Sequence, residues 1–193
     1  MATPGTAINR RYEREPARRV FAAELRETTY QFKDGTDDMS PSYILLPTGQ
    51  RCNRVFIVGT LTEKRRSEGE NVFYKIRIVD PTGTFFISAG SYQPEALQQL
   101  SSIEPPEFVA VIGKPNLFES PDGRTLISVR AESIIKVDRM VRDCWILDTA
   151  ERTLERVETT ESTPDRKTAQ EKYTQNPAVW NRIVQDALAT VEI

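Results

Sequence analysis

Not one histidine occurs in the 193 residues. The side chain best suited to proton transfer near neutral pH, also the commonest metal ligand, is therefore missing. Cysteine is nearly absent too. Cys52 and Cys144 stand far apart, which fits neither a zinc site nor a disulfide framework, and both read as half-buried thiols in a reducing compartment. No glycine-rich phosphate loop is present. With no nucleophile–base pair, metal-ligand set or cofactor motif to name, the chain reads as a non-enzyme without a cofactor. Scattered carboxylates such as Asp80 and Asp122 read as turn formers. A surplus of positive charge is lacking as well. Lys and Arg number 26 against 28 Asp and Glu, which counts against indiscriminate duplex binding but leaves room for a locally cationic groove. No apolar run is long enough to cross a bilayer and the first residues do not read as a signal peptide. A soluble intracellular protein with no membrane partner is expected.

What the chain does have is strand patterning from residue 54 to 138. RVFIVGTL at 54–61 is followed by the charged loop TEKRRSEGE and then by NVFYKIRIV at 71–79. Asp80, Pro81, Thr82 and Gly83 make a tight turn into TFFISAG at 84–90, and PEALQQL at 94–100 reads as a short helix. FVAVIGKP at 108–115 and TLISVRAESIIKV at 125–137, separated by the loop NLFESPDGR, complete the set. Three strands, a helix and two strands is the order of a five-stranded Greek-key barrel of the OB type, a mainly β fold. Barrels of this type bind oligonucleotides on the face of their second and third strands, between the 1–2 and 4–5 loops.

Alternation then assigns the faces. Val72, Tyr74, Ile76 and Ile78 point inward, leaving Phe73, Lys75 and Arg77 outside; in the next strand Phe85, Ile87 and Ala89 point inward and Thr84, Phe86 and Ser88 outward. Phe73 and Phe86 thus share a face with Lys75 and Arg77, a combination suited to stacking bases and holding phosphates. Lys64, Arg65 and Arg66 in the first loop, and Phe118 and Arg124 in the last, border that face, and Tyr92 is a further stacking candidate. The competing reading packs Phe73 or Phe86 beneath the N-terminal extension.

Around the barrel, residues 1–13 read as disordered and 14–53 as an extension packing on it. The extension holds a short helix after Pro16 and β-prone segments at 28–32 and 43–46, with Arg18 and Arg19 either solvated or touching phosphate. Asp138 is placed to cap a helix over 139–158 whose stripe is Met140, Cys144, Leu147, Ala150, Leu154 and Val157, widened by Trp145 and Ile146. That width favours a partner interface over the chain's own barrel. Residues 159–175 read as a linker, and 176–193 as an amphipathic helix capped by Asn176, with Trp180 and Ile183 on its apolar face. This last helix docks on its own chain or engages another protein.

The segments VFIVG, Tyr74-Lys75-Ile76 before the Asp-containing turn, and FVAVIGK, with a long helix straight after the last strand, resemble the middle subunit of replication protein A. In REPARRVFAAEL, SYILLPTGQRCNRVFIVGTLTE, VDPTGTFFISAGSYQPEAL and IEPPEFVAVIGKP the chain is similar to an archaeal family of replication protein A-associated proteins. The resemblance covers about residues 14–158 and leaves out the C-terminal tail. It implies a cytoplasmic, nucleoid-associated subunit that binds single-stranded DNA in replication, repair and recombination. It also implies that the helix at 139–158 joins it to a larger multi-barrel subunit. The C-terminal helix is then available to other replication or repair proteins. The alternative is a scaffold that recruits such factors without touching DNA.

Overall fold

Apolar alternation bounded by turn residues produces long strands here, and two of them outlast their apolar runs. The computed structural model describes residues 15–36, 40–67, 72–174 and 176–192, so the disorder expected over 1–13 lies outside the described residues. In chain order the elements are β1 (Arg18–Arg19), α1 (Ala22–Arg26), β2 (Tyr30–Lys33), β3 (Ser42–Leu45), β4 (Arg51–Cys52), β5 (Val55–Arg66), β6 (Tyr74–Asp80) and β7 (Gly83–Ala89). Then follow α2 (Pro94–Ser102), β8 (Glu107–Glu119), β9 (Thr125–Lys136), α3 (Arg139–Glu158), α4 (Pro164–Lys172) and α5 (Pro177–Leu188).

The large sheet runs β1-β5-β6-β7-β9-β8 and closes on itself through antiparallel pairing of β5 with β8. Among the described residues, only β7–β9 and the short β1–β5 contact are parallel. A closed five-stranded barrel of this order, with a helix between its third and fourth strands, is the OB fold. Gly59 permits one tight approach within it, because a Cβ there would lie 2.5 Å from the Val79 carbonyl oxygen.

The first halves of both charged runs read as loops are strand. β5 continues through Arg66, and β8 through Glu119. Long two-stranded extensions stay paired beyond the apolar core because the ladder continues residue by residue, from Lys64↔Ile76 to Arg66↔Tyr74 and from Asn116↔Ser128 to Glu119↔Thr125.

The N-terminal extension lies on the barrel, with its helix beginning later than Pro16. Arg18 and Arg19 form a strand beside Val55 and Phe56, and the helix starts at Ala22. Its free N–H groups are satisfied from the β6–β7 turn: Ala22 N–H donates to Asp80 Oδ2 (2.8 Å) and Ala23 N–H to Thr82 Oγ1 (3.0 Å). Asp80 also accepts from the backbone of Thr82 and Gly83, so the turn former doubles as an N-terminal cap. Glu24 is fully buried on α1 and pairs with Arg156 of α3 at 2.7 Å, joining the two helices through an ion pair that must stay intact to be tolerated inside. β2, β3 and β4 form a separate three-stranded sheet that places Ile44, Leu46 and Cys52 in the core.

Asp138 caps α3, accepting from Val141 N–H at 2.9 Å. Trp145 is buried against the barrel, its Nε1–H donating to the Phe56 carbonyl (3.0 Å) and its ring meeting Phe21 edge-on at 5.7 Å. The segment 159–175 is more than a linker. It carries α4, anchored where Asp165 accepts two 2.7 Å hydrogen bonds from Arg51, and where the Tyr173 hydroxyl donates to Leu45 O and accepts from Tyr30 N–H. α5 lies along α3 and contributes Val184 and Ala187 to the core; Asn176 precedes it without a side-chain capping bond.

Candidate nucleic-acid interface

One irregularity in β5 decides which cations face the groove. Strict alternation after Leu61, which is buried, would turn Lys64 outward and Arg65 inward. A bulge between Leu61 and Glu63 inserts one residue, so Glu63 falls opposite Arg77, Lys64 opposite Ile76 and Arg65 opposite Lys75. Lys64 is thereby turned toward the end of the barrel. Its ammonium donates to the carbonyls of Leu100 (3.1 Å) and Ile103 (2.8 Å), pairs with Glu104 (2.6 Å), and is only 11% exposed. The sequence reading of Lys64 as a phosphate contact is corrected on that ground: it fastens the end of α2. Arg65 gains the groove position.

The groove has a volume of about 580 Å³ and lies over β6 and β7, between the end of β5 and the β8–β9 hairpin. Arg65, Phe73, Lys75, Arg77, Phe86 and Phe118 all line it. Phe86 projects from β7 with 53% of its surface exposed, opposite Arg77 on β6, whose guanidinium carbon is 5.6 Å from the ring centroid. Ala22, Leu25 and Arg26 of the extension line the same groove, and among the described residues this ring keeps more than half of its surface exposed. Phe73 directly precedes β6, and its carbonyl accepts from Ser67 N–H at 2.8 Å. Its ring lies against Gly90, where an added Cβ would come within 3.1 Å. Phe118, 45% exposed, rises from the hairpin opposite Leu126.

The electrostatics are mixed. Glu63 accepts from Arg77 at 3.0 Å and from Arg65, so one carboxylate holds two of the groove's cations. Lys75 has no ion-pair or hydrogen-bond partner among the described residues. Sequence reasoning passed over Glu63, Leu126 and Arg26 of α1, which also line the groove. Alternation in TLISVR offered a signal for Leu126; nothing in the sequence marks the bulge that brings in Glu63.

Besides Lys64, three candidates fall outside the lining. Arg66 is exposed at the tip of β5, Tyr92 is 93% exposed in the turn before α2, and Arg124 pairs with Asp122 (2.6 Å) in the β8–β9 turn. The proposed partner stripe of α3 splits in two. Trp145 and Ala150 are buried within this chain, Leu154 and Val157 are half-buried, and Met140, Cys144 and Leu147 stay exposed. Trp180 is likewise buried and Ile183 half-buried where α5 meets α3. Spacing in threes and fours merged an inward face, at 145, 146, 149, 150 and 153, with an outward one, so the preference for a partner over the barrel is corrected for the buried residues.

Burial pushes the Cys52 thiol up to about 12, which keeps it protonated at neutral pH. Burial also raises the Asp80 carboxyl, against the hydrogen bonds from Ala22, Thr82 and Gly83. Among the described residues, no helix is long and apolar enough to cross a membrane, and no group of three His, Cys, Asp or Glu is placed to hold a metal.

The fold and groove define an OB-fold protein with an aromatic, cationic cleft. No family model matches the chain, and no curated protein sequence matches it. Similar solved structures include the second single-stranded DNA-binding protein (SSBb) of Mycobacterium smegmatis, 18% identical over 44% of this chain and 86% of that one, with a TM-score of 0.39. The yeast Stn1 and Ten1 structure is 11% identical over 64% of each chain, with a TM-score of 0.45. The mitochondrial single-stranded DNA-binding protein Rim1 of S. cerevisiae is 21% identical over 44% of this chain and 94% of its own, with a TM-score of 0.35. The OB assignment rests on this chain's own strand order and closure.

Proposed function

We propose that this protein binds single-stranded DNA in the cleft over β6 and β7, as one subunit of a replication protein A-like assembly. The observation that carries the reading is the convergence of Phe73, Phe86 and Phe118 with Arg65, Lys75 and Arg77 in one groove. Unpaired bases expose the ring faces that such side chains stack on, at about 1–3 kcal/mol per base, whereas a duplex hides them. Phosphates take up the cations, and Arg77 and Arg65 exchange Glu63 for phosphate oxygen as the strand enters. The near-neutral overall charge keeps this attraction local.

The assembly part rests on the sequence resemblance together with the exposed remainder of the α3 stripe. Met140, Cys144 and Leu147 offer a narrow apolar seam to a larger subunit, while the inward face of the same helix is already occupied.

Titrating isotope-labelled protein with an oligothymidine, followed by NMR, tests the site. Amide shifts concentrated in β6, β7 and the β8–β9 hairpin are expected. Shifts confined to α3 and α5, with the barrel face silent, would replace this reading with that of a recruitment scaffold.

A further inference from the structure

The strand register puts three groove-lining residues in line with two that the lining does not include. Arg65 pairs with Lys75 across β5–β6, Lys75 with Ser88 across β6–β7, Ser88 with Arg130 across β7–β9, and Arg130 with Lys114 across β9–β8. These five positions form one row running across all five barrel strands. With strands about 4.8 Å apart, the path of the row around the closed barrel is about 19 Å. Four of its members are cations and the fifth is a hydroxyl. Side chains on either side of each pairing share a face, and Arg130 has the same parity as Leu126 and Ser128, which line the groove, as Lys114 has with Phe118. Arg130 and Lys114 are exposed, and neither side chain has a hydrogen-bond or ion-pair partner among the described residues. A shift of register between Ile112 and Gly113 sets this parity, and Gly113 is needed there because a Cβ would meet the Arg130 carbonyl oxygen at 2.6 Å.

Phe86 lies two residues before Ser88, and Phe118 four residues beyond Lys114, both toward the hairpin side of the row. Phe86 and Phe118 thus flank the row on its hairpin side, and Phe73, two residues before Lys75 and against Gly90, flanks it on the other. We infer that this row is a phosphate track extended by Lys114 and Arg130: a bound strand follows the row around the barrel from Arg65 to Lys114, its bases reaching Phe86 and Phe118 on one side and Phe73 on the other. The inference rests on the proposed single-strand binding and adds two contacts, a direction and a minimum span to it. Two unpaired cations in line with a groove are otherwise solvated surface, and a strand confined to the cleft over β6 and β7 would not reach them.

The test is the double variant Lys114→Gln with Arg130→Gln in the full chain. Both residues are exposed, so the fold is retained, and a far-UV spectrum and melting curve check it. The control variant is Lys136→Gln with Lys167→Gln, which removes equal charge away from the row. With an oligothymidine of about 15 nucleotides, the row variant should bind about tenfold more weakly. The slope of log affinity against log salt should flatten by about 1.4, at 0.7 per phosphate for single strands. With an oligomer of about 5 nucleotides, which fits the cleft over β6 and β7, the row variant should match wild type. If wild type binds and the row variant behaves like the control on the long oligomer, the track is overturned and cleft binding stands. If wild type binds neither oligomer, both readings fall together.

Discussion

Replacing Phe73 and Phe86 together by alanine isolates stacking from charge. In the free protein the Arg77 guanidinium lies over the Phe86 ring, an exposed cation–π contact of about 0.5–1 kcal/mol, so truncating this half-exposed ring costs the fold little. Phe73 is half-buried against Gly90, and giving up part of that apolar contact costs about 1 kcal/mol. The summed loss lowers Tm by about 2–4 °C for each kcal/mol in a chain of this size. Bound DNA loses more. Each ring stacks a base for about 1–3 kcal/mol, so even the low end for two rings is about 2 kcal/mol. At 1.4 kcal/mol per decade, Kd rises by about thirtyfold or more. Fluorescence anisotropy with a labelled oligothymidine measures Kd, and a parallel melt reports the fold. The salt slope should stay as in wild type, because no cation has been removed. A double variant that melts within a few degrees of wild type and binds with unchanged Kd would refute the stacking assignment.

Glu63→Gln removes the one carboxylate that occupies Arg65 and Arg77. At about 6 Å from a bound phosphate the repulsion lifted is about 0.7–3 kcal/mol for effective dielectrics of 80 to 20, so affinity should rise by about fivefold, and a loss of affinity in the same titration would mean that Glu63 positions the arginines instead. Trp145→Ala should destabilise by about 3–5 kcal/mol in chemical denaturation, since the side chain is fully buried on Phe21 and hydrogen-bonded to Phe56; a change below about 1 kcal/mol would contradict its place in the core. Lys64→Met strips the Leu100 and Ile103 carbonyls of their donor and should cost about 1–3 kcal/mol of stability, with the salt slope of DNA binding unchanged. A flatter slope in that variant would return Lys64 to the phosphate contacts.

The barrel is legible in the sequence because each apolar run ends at a turn that the chain spells out, as Asp80–Gly83 and Pro121–Gly123 do. Phe86, Lys75 and Arg77 follow from alternation alone, because β6 and β7 pair without a break in register from Tyr74↔Ala89 to Asp80↔Gly83. Legibility stops where register changes. The bulge in β5 exchanges the roles of Lys64 and Arg65, and a charged run carries no apolar pattern that would reveal the shift. It stops again where a helix has two neighbours. α3 buries Trp145 and Ala150 against the barrel and α5, and the periodicity of one helix cannot tell a contact within the chain from one outside it. α4 is hidden for a third reason: its anchors are the polar groups Asp165 and Tyr173, which pair with Arg51 and with Leu45 O across more than a hundred residues of sequence.

The account stands or falls on an anisotropy titration of the unmodified chain with an oligothymidine of about 15 nucleotides and with a duplex of equal length, at low and at near-physiological salt. The predicted result is binding of the single strand in preference to the duplex, weakening steeply as salt rises. No binding of the single strand at either salt, or equal binding of the duplex, would contradict the claim that this barrel face holds single-stranded DNA.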